Sequence, residues 1–322
     1  MEIKGYTYGY GATRGVYPSE AAFKSREALI DIGINWVCLA FSVKQDHYYS
    51  TDIMFDYRTS VPDLELITTI QHFHDRGVKV CLKPMIDCKD GVWRALISFP
   101  EQNMFNKDQY WPAWFESYSA FLTHYAQLAE YCGCEMFCLG CEMLGTERQE
   151  ALWRETISKV RDVYSGKLTY NTNHGKETVA QWYDAIDYVG TSAYYPVADG
   201  PNATAADMKL RWASIADNLE TISKQLNKKI IFMEIGCRSA AGCATMPWDF
   251  MHREFPYSEE EQANFYESSL DVFSSKDWFA GFFWWDWSPT IYSTREDALQ
   301  DANFNIYLKK TESVVRDFYS KL

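Results

Sequence analysis

Two glutamates stand where a carboxylate calls for a reason. Glu142 ends the apolar run FCLGCE and Glu234 ends KIIFME. Burying a carboxylate costs several kcal/mol unless it is paired or solvated. One such residue could cap a strand in solvent or pair with a nearby Arg or Lys. Two of them, each closing an apolar run, fit a cleft faced by two carboxyl groups. That is the equipment of glycosidic bond hydrolysis. One group, protonated, gives its proton to the leaving oxygen, while the other attacks the anomeric carbon or activates water. Their environments must then hold their pKa values apart.

Other strand-end residues could serve the same cleft. Trp285, in GFFWWDW, offers a flat apolar platform for the C–H face of a pyranose. Strand alternation predicts that Trp285 and Trp287 share a face and that Trp284 points the other way. Tyr194 could hydrogen-bond a carboxylate of the site or be an ordinary loop tyrosine. Lys83, Asp87, Asn173 and His174 complete the polar set at strand ends.

The cysteines invite a different chemistry. Cys132, Cys134, Cys138 and Cys141 read C-x-C-x3-C-x2-C, which lacks the spacing of zinc knuckles. Cys138 and Cys141 fall in one predicted strand, so they lie about 10 Å apart along it, too far to share one ion with Zn–S bonds near 2.3 Å. A catalytic thiol partnered by His174 ranks below the glutamate pair. The histidines His72 and His74 are two apart on a helix and do not share a face.

These residues need a scaffold, and the chain supplies a recurring one: an apolar strand followed by a helix. Predicted strands cover Lys4–Tyr10, Asn35–Val43, Val78–Met85, Glu135–Glu142, Leu168–Asn173, Asp187–Tyr195, Lys229–Gly236 and Gly281–Trp287. Helices are expected at Ser19–Ile32, Asp63–Arg76, Pro112–Tyr131, Arg148–Tyr164, Ala205–Leu226, Ser258–Ser274 and Leu308–Leu322, with a short one near Glu177–Asp184. Ser19 reads as an N-cap and Gly33 as a stop. Most strands are apolar throughout, as strands covered on both faces should be. Eight such units predict one (β/α)8 TIM barrel, taken as a single catalytic domain over residues 1–322. An open doubly wound sheet is the weaker alternative, because no GxGxxG or GxxxxGK[ST] follows a strand. The longest irregular insertions are expected after strands three, six and eight, on the C-terminal face where such barrels carry their sites.

Composition narrows the partners. The chain has 322 residues, 47 % hydrophobic and 16 % aromatic, with 12 Trp, 22 Tyr and a net charge of −13. An acidic protein repels phosphate backbones, which argues against nucleic acid. No run of 18 apolar residues exists, so no membrane span is expected. The start MEIKGYTYGY lacks a signal-peptide pattern. Nine cysteines without a regular framework fit reduced thiols, so a cytoplasmic location is expected.

Taken in order, INWVCLAFSV, GVKVCLKPMID with GVWRALI, FCLGCEML, VYSGKLTYNTN, DYVGTSAYYP, IFMEIGCRS followed by MPWD, WFAGFFWWDW and DANFNIYLKK resemble glycoside hydrolase family 113 over essentially the whole chain. The resemblance implies a (β/α)8 barrel of clan A, a retaining mechanism and activity on β-1,4-mannan or manno-oligosaccharides. It puts the acid/base on Glu142 and the nucleophile on Glu234. Tyr194 matches the tyrosine that orients the nucleophile, Trp285 the platform at the cleavage site, and Lys83 and Asn173 polar positions of the cleft. Cys141 stands where many clan A enzymes carry Asn, His174 where relatives tend to have Trp, and Cys237 where they tend to have Tyr. These departures leave the sugar preference and endo or exo action open. No cofactor or metal is needed. Retention implies carboxyl groups about 5–5.5 Å apart, and inversion about 9 Å. The alternatives are an exo-acting glycosidase for another β-linked hexose or amino sugar, a catalytically silent sugar-binding barrel, and a metal-dependent barrel hydrolase.

Overall fold

A computed structural model describes residues 1–252 and 254–321. Eight parallel strands close on themselves: β1 (Ile3–Tyr8), β2 (Trp36–Gln45), β4 (Lys79–Cys88), β5 (Met136–Cys141), β6 (Lys167–Asn173), β7 (Tyr188–Ser192), β8 (Ile230–Ile235) and β9 (Phe279–Trp287). Each pairs with the next, and β1 pairs with both β9 and β2, so the sheet has no seam. A two-residue piece, β3 (Ile53–Met54), adds antiparallel to the end of β2. The fold is the expected (β/α)8 barrel.

The helices lie outside this cylinder. They are α1 (Glu20–Asp31), α2 (Asp63–Asp75), α3 (Tyr110–Cys132), α4 (Glu150–Arg161), α5 (Ala205–Leu226), α6 (Glu259–Phe273), the short α7 (Arg295–Leu299) and α8 (Lys310–Tyr319). Their ends follow local chemistry. The Ser19 hydroxyl accepts the Ala22 amide at 3.1 Å and starts α1, while Thr204 and Asp207 form a reciprocal capping box on α5 that satisfies two otherwise orphaned donors. The apolar faces of these helices and the outward strand residues form one large core. Inside the barrel, a separate plug of Ile3, Trp36, Cys38, Cys81, Met136, Cys138, Ile231, Met233 and Phe283 fills the lower half. Chemistry is thereby confined to the upper, C-terminal half.

Three expectations are corrected. The short helix near Glu177–Asp184 reduces to a single 3-10 turn at Tyr183–Ala185. Glu177 is instead buried, where it accepts from Thr191 at 2.8 Å and from the Tyr195 hydroxyl. The long insertion expected after the sixth strand follows the seventh, over residues 236–258. There an ion pair between Arg238 and Asp249 at 2.9 Å gives the loop a polar core of its own. The last helix ends at Tyr319, and its predicted terminus Leu322 lies outside the described residues. Among the described residues no helix is long and apolar enough to cross a membrane.

Candidate active site

Three strands carry an extra residue just where they reach the upper rim. Cys138 and Cys141 of β5 face Thr169 and Asn171 of β6. Phe232 and Glu234 of β8 face Thr191 and Ser192 of β7. Trp284 and Trp287 of β9 face Tyr6 and Tyr8 of β1. Each is a bulge, which bends the strand and re-aims the side chains that follow. Glu142, Glu234, Trp285 and Asp286 are those side chains. Glu142 also takes a left-handed backbone, φ 55°, held by its amide donating to Asn171 O at 2.7 Å. A non-glycine residue in that region is strained, and such strain concentrates at functional sites.

The bulge in β9 overturns the expected tryptophan faces. Trp284 and Trp287 both point outward: Trp284 stacks on Tyr266 of α6, and Trp287 donates its indole N–H to Ser25 of α1. Trp285 and Asp286 both line the cleft. The bond between them is a cis peptide.

Glu234 is buried and hydrogen-bonded at both oxygens. Its Oε1 accepts from Lys83 Nζ at 2.6 Å, Asn171 Nδ2 at 3.1 Å and Cys141 Sγ at 3.2 Å. Its Oε2 accepts from the Tyr194 hydroxyl at 3.1 Å. Burial alone would push this carboxyl up, but the Lys83 ammonium and the other donors hold it below its ordinary value. Lys83 is itself wholly buried. Burial works against its charge, yet its carboxylate partner wins and the ammonium persists.

Glu142 is tuned the other way. Burial, reinforced by the charge of Glu234, raises its carboxyl above the ordinary value. Arg94 opposes this only in part, with Nη1 3.5 Å from Oε2, because the guanidinium is committed elsewhere. Its Nη2 donates to Asp87 at 2.6 Å and to the Tyr10 hydroxyl at 2.9 Å. Asp87, also bonded by Ser42, stays below the usual carboxylate range despite its burial. The Trp93 indole N–H donates to Glu142 Oε2 at 3.3 Å. Two glutamates thus bear on one cleft with opposite protonation tendencies, the pattern that marks an acid and an anion.

The cleft itself holds about 1020 Å³. Glu142, Glu234, Asn173, Tyr194 and Trp285 all line it. Lys83, expected in the cleft wall, does not line it and instead bonds Glu234 from beneath. Asn173 lines the wall with no hydrogen bond to either glutamate among the described residues, and the asparagine that bonds Glu234 is Asn171, two residues earlier. His174 stacks on Trp248 with ring centroids 5.5 Å apart, and its burial lowers its pKa. Sequence reasoning missed Arg94, Trp93, Trp248 and Asp286. Two had a signal: Arg94 is the one charge in the run GVWRALI, and Asp286 interrupts GFFWWDW as Glu142 and Glu234 interrupt their runs. Among the described residues no three His, Cys, Asp or Glu side chains converge as metal ligands.

A closed parallel barrel carrying this pair at its C-terminal mouth defines a glycoside hydrolase. The chain belongs to Glycoside Hydrolase Family 113, whose model matches residues 6–309. A β-1,4-mannanase of that family is 35 % identical over all of both chains, with a TM-score of 0.91. A family 113 β-mannanase from Alicyclobacillus acidocaldarius, solved in complex with ManMIm, is 38 % identical, covering 99 % of this chain and 97 % of its own, with a TM-score of 0.90. A β-glucuronidase from Ruminococcus gnavus is 13 % identical with a TM-score of 0.63 over 50 % of its length, which speaks for the fold alone. No match was found among curated protein sequences.

Proposed function

We propose that the protein is a retaining β-mannanase in which Glu234 is the nucleophile and Glu142 the acid/base, acting on β-1,4-mannan or its oligosaccharides. The observation that carries the assignment is the opposed tuning of the two carboxyls beside one cleft: Lys83 lowers the Glu234 carboxyl, while burial and the charge of Glu234 raise that of Glu142. Three donors occupy Glu234 Oε1 and, among the described residues, Tyr194 alone meets Oε2. Oε2 therefore keeps a lone pair for C1. As the C1–O bond breaks, its electron pair goes to the glycosidic oxygen, which takes the Glu142 proton. Water then attacks C1, gives its proton to Glu142 and displaces Glu234. Trp285 supports the sugar that changes, and the ionised nucleophile offsets the positive charge that develops on its ring. Nothing in these steps calls for a cofactor or metal.

The relatives' activity on mannan directs the substrate choice, and the whole chain acts as one catalytic unit. All nine cysteines are free thiols, which fits a reducing, cytoplasmic setting. The test has three parts: hydrolysis of manno-oligosaccharides and aryl β-glycosides, the anomer first released, and trapping by a 2-deoxy-2-fluoro-β-mannosyl fluoride. The expected results are β-anomeric product, an adduct on the peptide containing Glu234, and loss of turnover in Glu234→Ala. Release of α-anomer first, or an adduct elsewhere, would overturn the mechanism. Turnover of β-glucosides with none of β-mannosides would overturn the substrate.

A further inference from the structure

The cleft contains a carboxyl that the double displacement leaves unused. Asp286 follows the platform Trp285 inside the β9 bulge and lines the same cavity. The other cleft carboxylates are partnered: Asp87 and Glu142 by Arg94, Glu234 by Lys83, and Asp301 by the Tyr292 hydroxyl at 2.6 Å. Among the described residues no side chain hydrogen-bonds Asp286. Burial, opposed by a bond from its own backbone amide and reinforced by the charges of Glu234 and Asp301, raises its carboxyl to about 6. Those neighbours put it on the nucleophile's side of the cleft, where the glycone binds if Glu142 serves the leaving group.

An ionised carboxylate is an acceptor with four lone-pair sites and no donor. A sugar ring presents hydroxyl donors on adjacent carbons. Water fills this role only while the cleft is open, and a sugar on Trp285 displaces it. Building on the mannanase reading above, we infer that Asp286 is a specificity-determining residue whose carboxylate accepts hydrogen bonds from two hydroxyls of the sugar seated on Trp285. Once that water is displaced, only a sugar with hydroxyls in the right places meets the carboxylate's lone pairs, and one that lacks such a hydroxyl leaves a lone pair unmet. That is how a site comes to reject an analogue lacking one hydroxyl.

The test is a series of 4-nitrophenyl β-hexosides, monodeoxygenated in turn at C2, C3, C4 and C6, on wild type, Asp286→Asn and Asp286→Ala. The parent sugar is whichever hexoside the wild type turns over, so failure of the mannose reading shows in the parents and failure of this inference shows in the deoxy pattern. In wild type, one or two deoxy analogues should lose about 100-fold in kcat/KM. The variants should lose a similar factor on the parent, while the same analogues cost them under about 3-fold more. Trapping of Glu234 by the 2-fluoro sugar in Asp286→Asn reports an intact catalytic pair. Equal penalties for every analogue in wild type and variants, or wild-type kcat/KM in Asp286→Ala, would overturn the inference.

Discussion

At Glu234 four donors converge on two oxygens, and Lys83 is the only cation among them. Removing one partner of a buried ion pair strands the other charge, at about 3–5 kcal/mol. Lys83→Met should therefore lower stability by that order. It should also let the Glu234 pKa climb, so that the acid limb of kcat/KM moves up by a unit or more and kcat falls about 100-fold or further. A purely structural lysine would cost stability without moving the limb. The wild-type profile has a worked sign. Glu234 is held down, so activity persists below the ordinary glutamate pKa. Glu142 is held up, so activity persists above it until Glu142 ionises. Glu142→Gln should remove the alkaline limb and spare substrates whose leaving group needs no proton. A dinitrophenyl glycoside should thus retain far more turnover in that variant than an oligosaccharide, measured as the ratio of kcat/KM to wild type.

The strands and helices were legible because their cause is local. Apolar runs, capping serines and stop glycines lie within a few residues of one another, and a carboxylate ending such a run shows in one dimension. Register does not. The bulges on β5, β8 and β9 exist only relative to the neighbouring strand, so alternation assigned Trp287 to the cleft and left Asp286 unremarked. Arg94, Trp93 and Trp248 come from loops whose path no periodicity reports. The same geometry makes Gly236 essential. A Cβ there would sit 2.4 Å from the Trp285 carbonyl oxygen, and backbone cannot swing aside as a side chain can. Gly236→Ala should push β8 and β9 apart just above Glu234 and cost about 10- to 100-fold in kcat/KM, as misplacement of about 1 Å does. Gly77→Ala is the control. Gly77 has φ +73° but open space around it, so it should lower the melting temperature through backbone strain and leave kcat/KM unchanged.

The barrel as a whole bears the cost of its site, and pH reveals how that cost is distributed. Asp286 titrates near 3.8 when unfolded and near 6 in the folded protein. Between those values the folded state binds more protons, so stability falls as pH rises from about 4 through 6 and stays lower above. Glu234 contributes with the opposite sign: its depressed pKa gives stability that is present above its ordinary value and lost as pH falls through the folded one. The wild-type curve blends these with other shifted carboxyls, Glu142 among them with the sign of Asp286, but the difference between wild type and Asp286→Asn isolates the first. Two pH units correspond to at most about 3 kcal/mol, and partial solvation of Asp286 reduces it. Asp286→Asn should therefore match wild type near pH 3.5, gain on it through pH 6, and melt a few degrees higher at pH 7. Calorimetry from pH 3.5 to 8 reads this directly, and a gain independent of pH would sink the assignment of the cost to this carboxyl. The same substitution that stabilises the empty protein should weaken its grip on substrate. The two effects are linked because one carboxylate without a side-chain partner among the described residues causes both: sugar hydroxyls supply in the complex the hydrogen bonds that those side chains leave unmade.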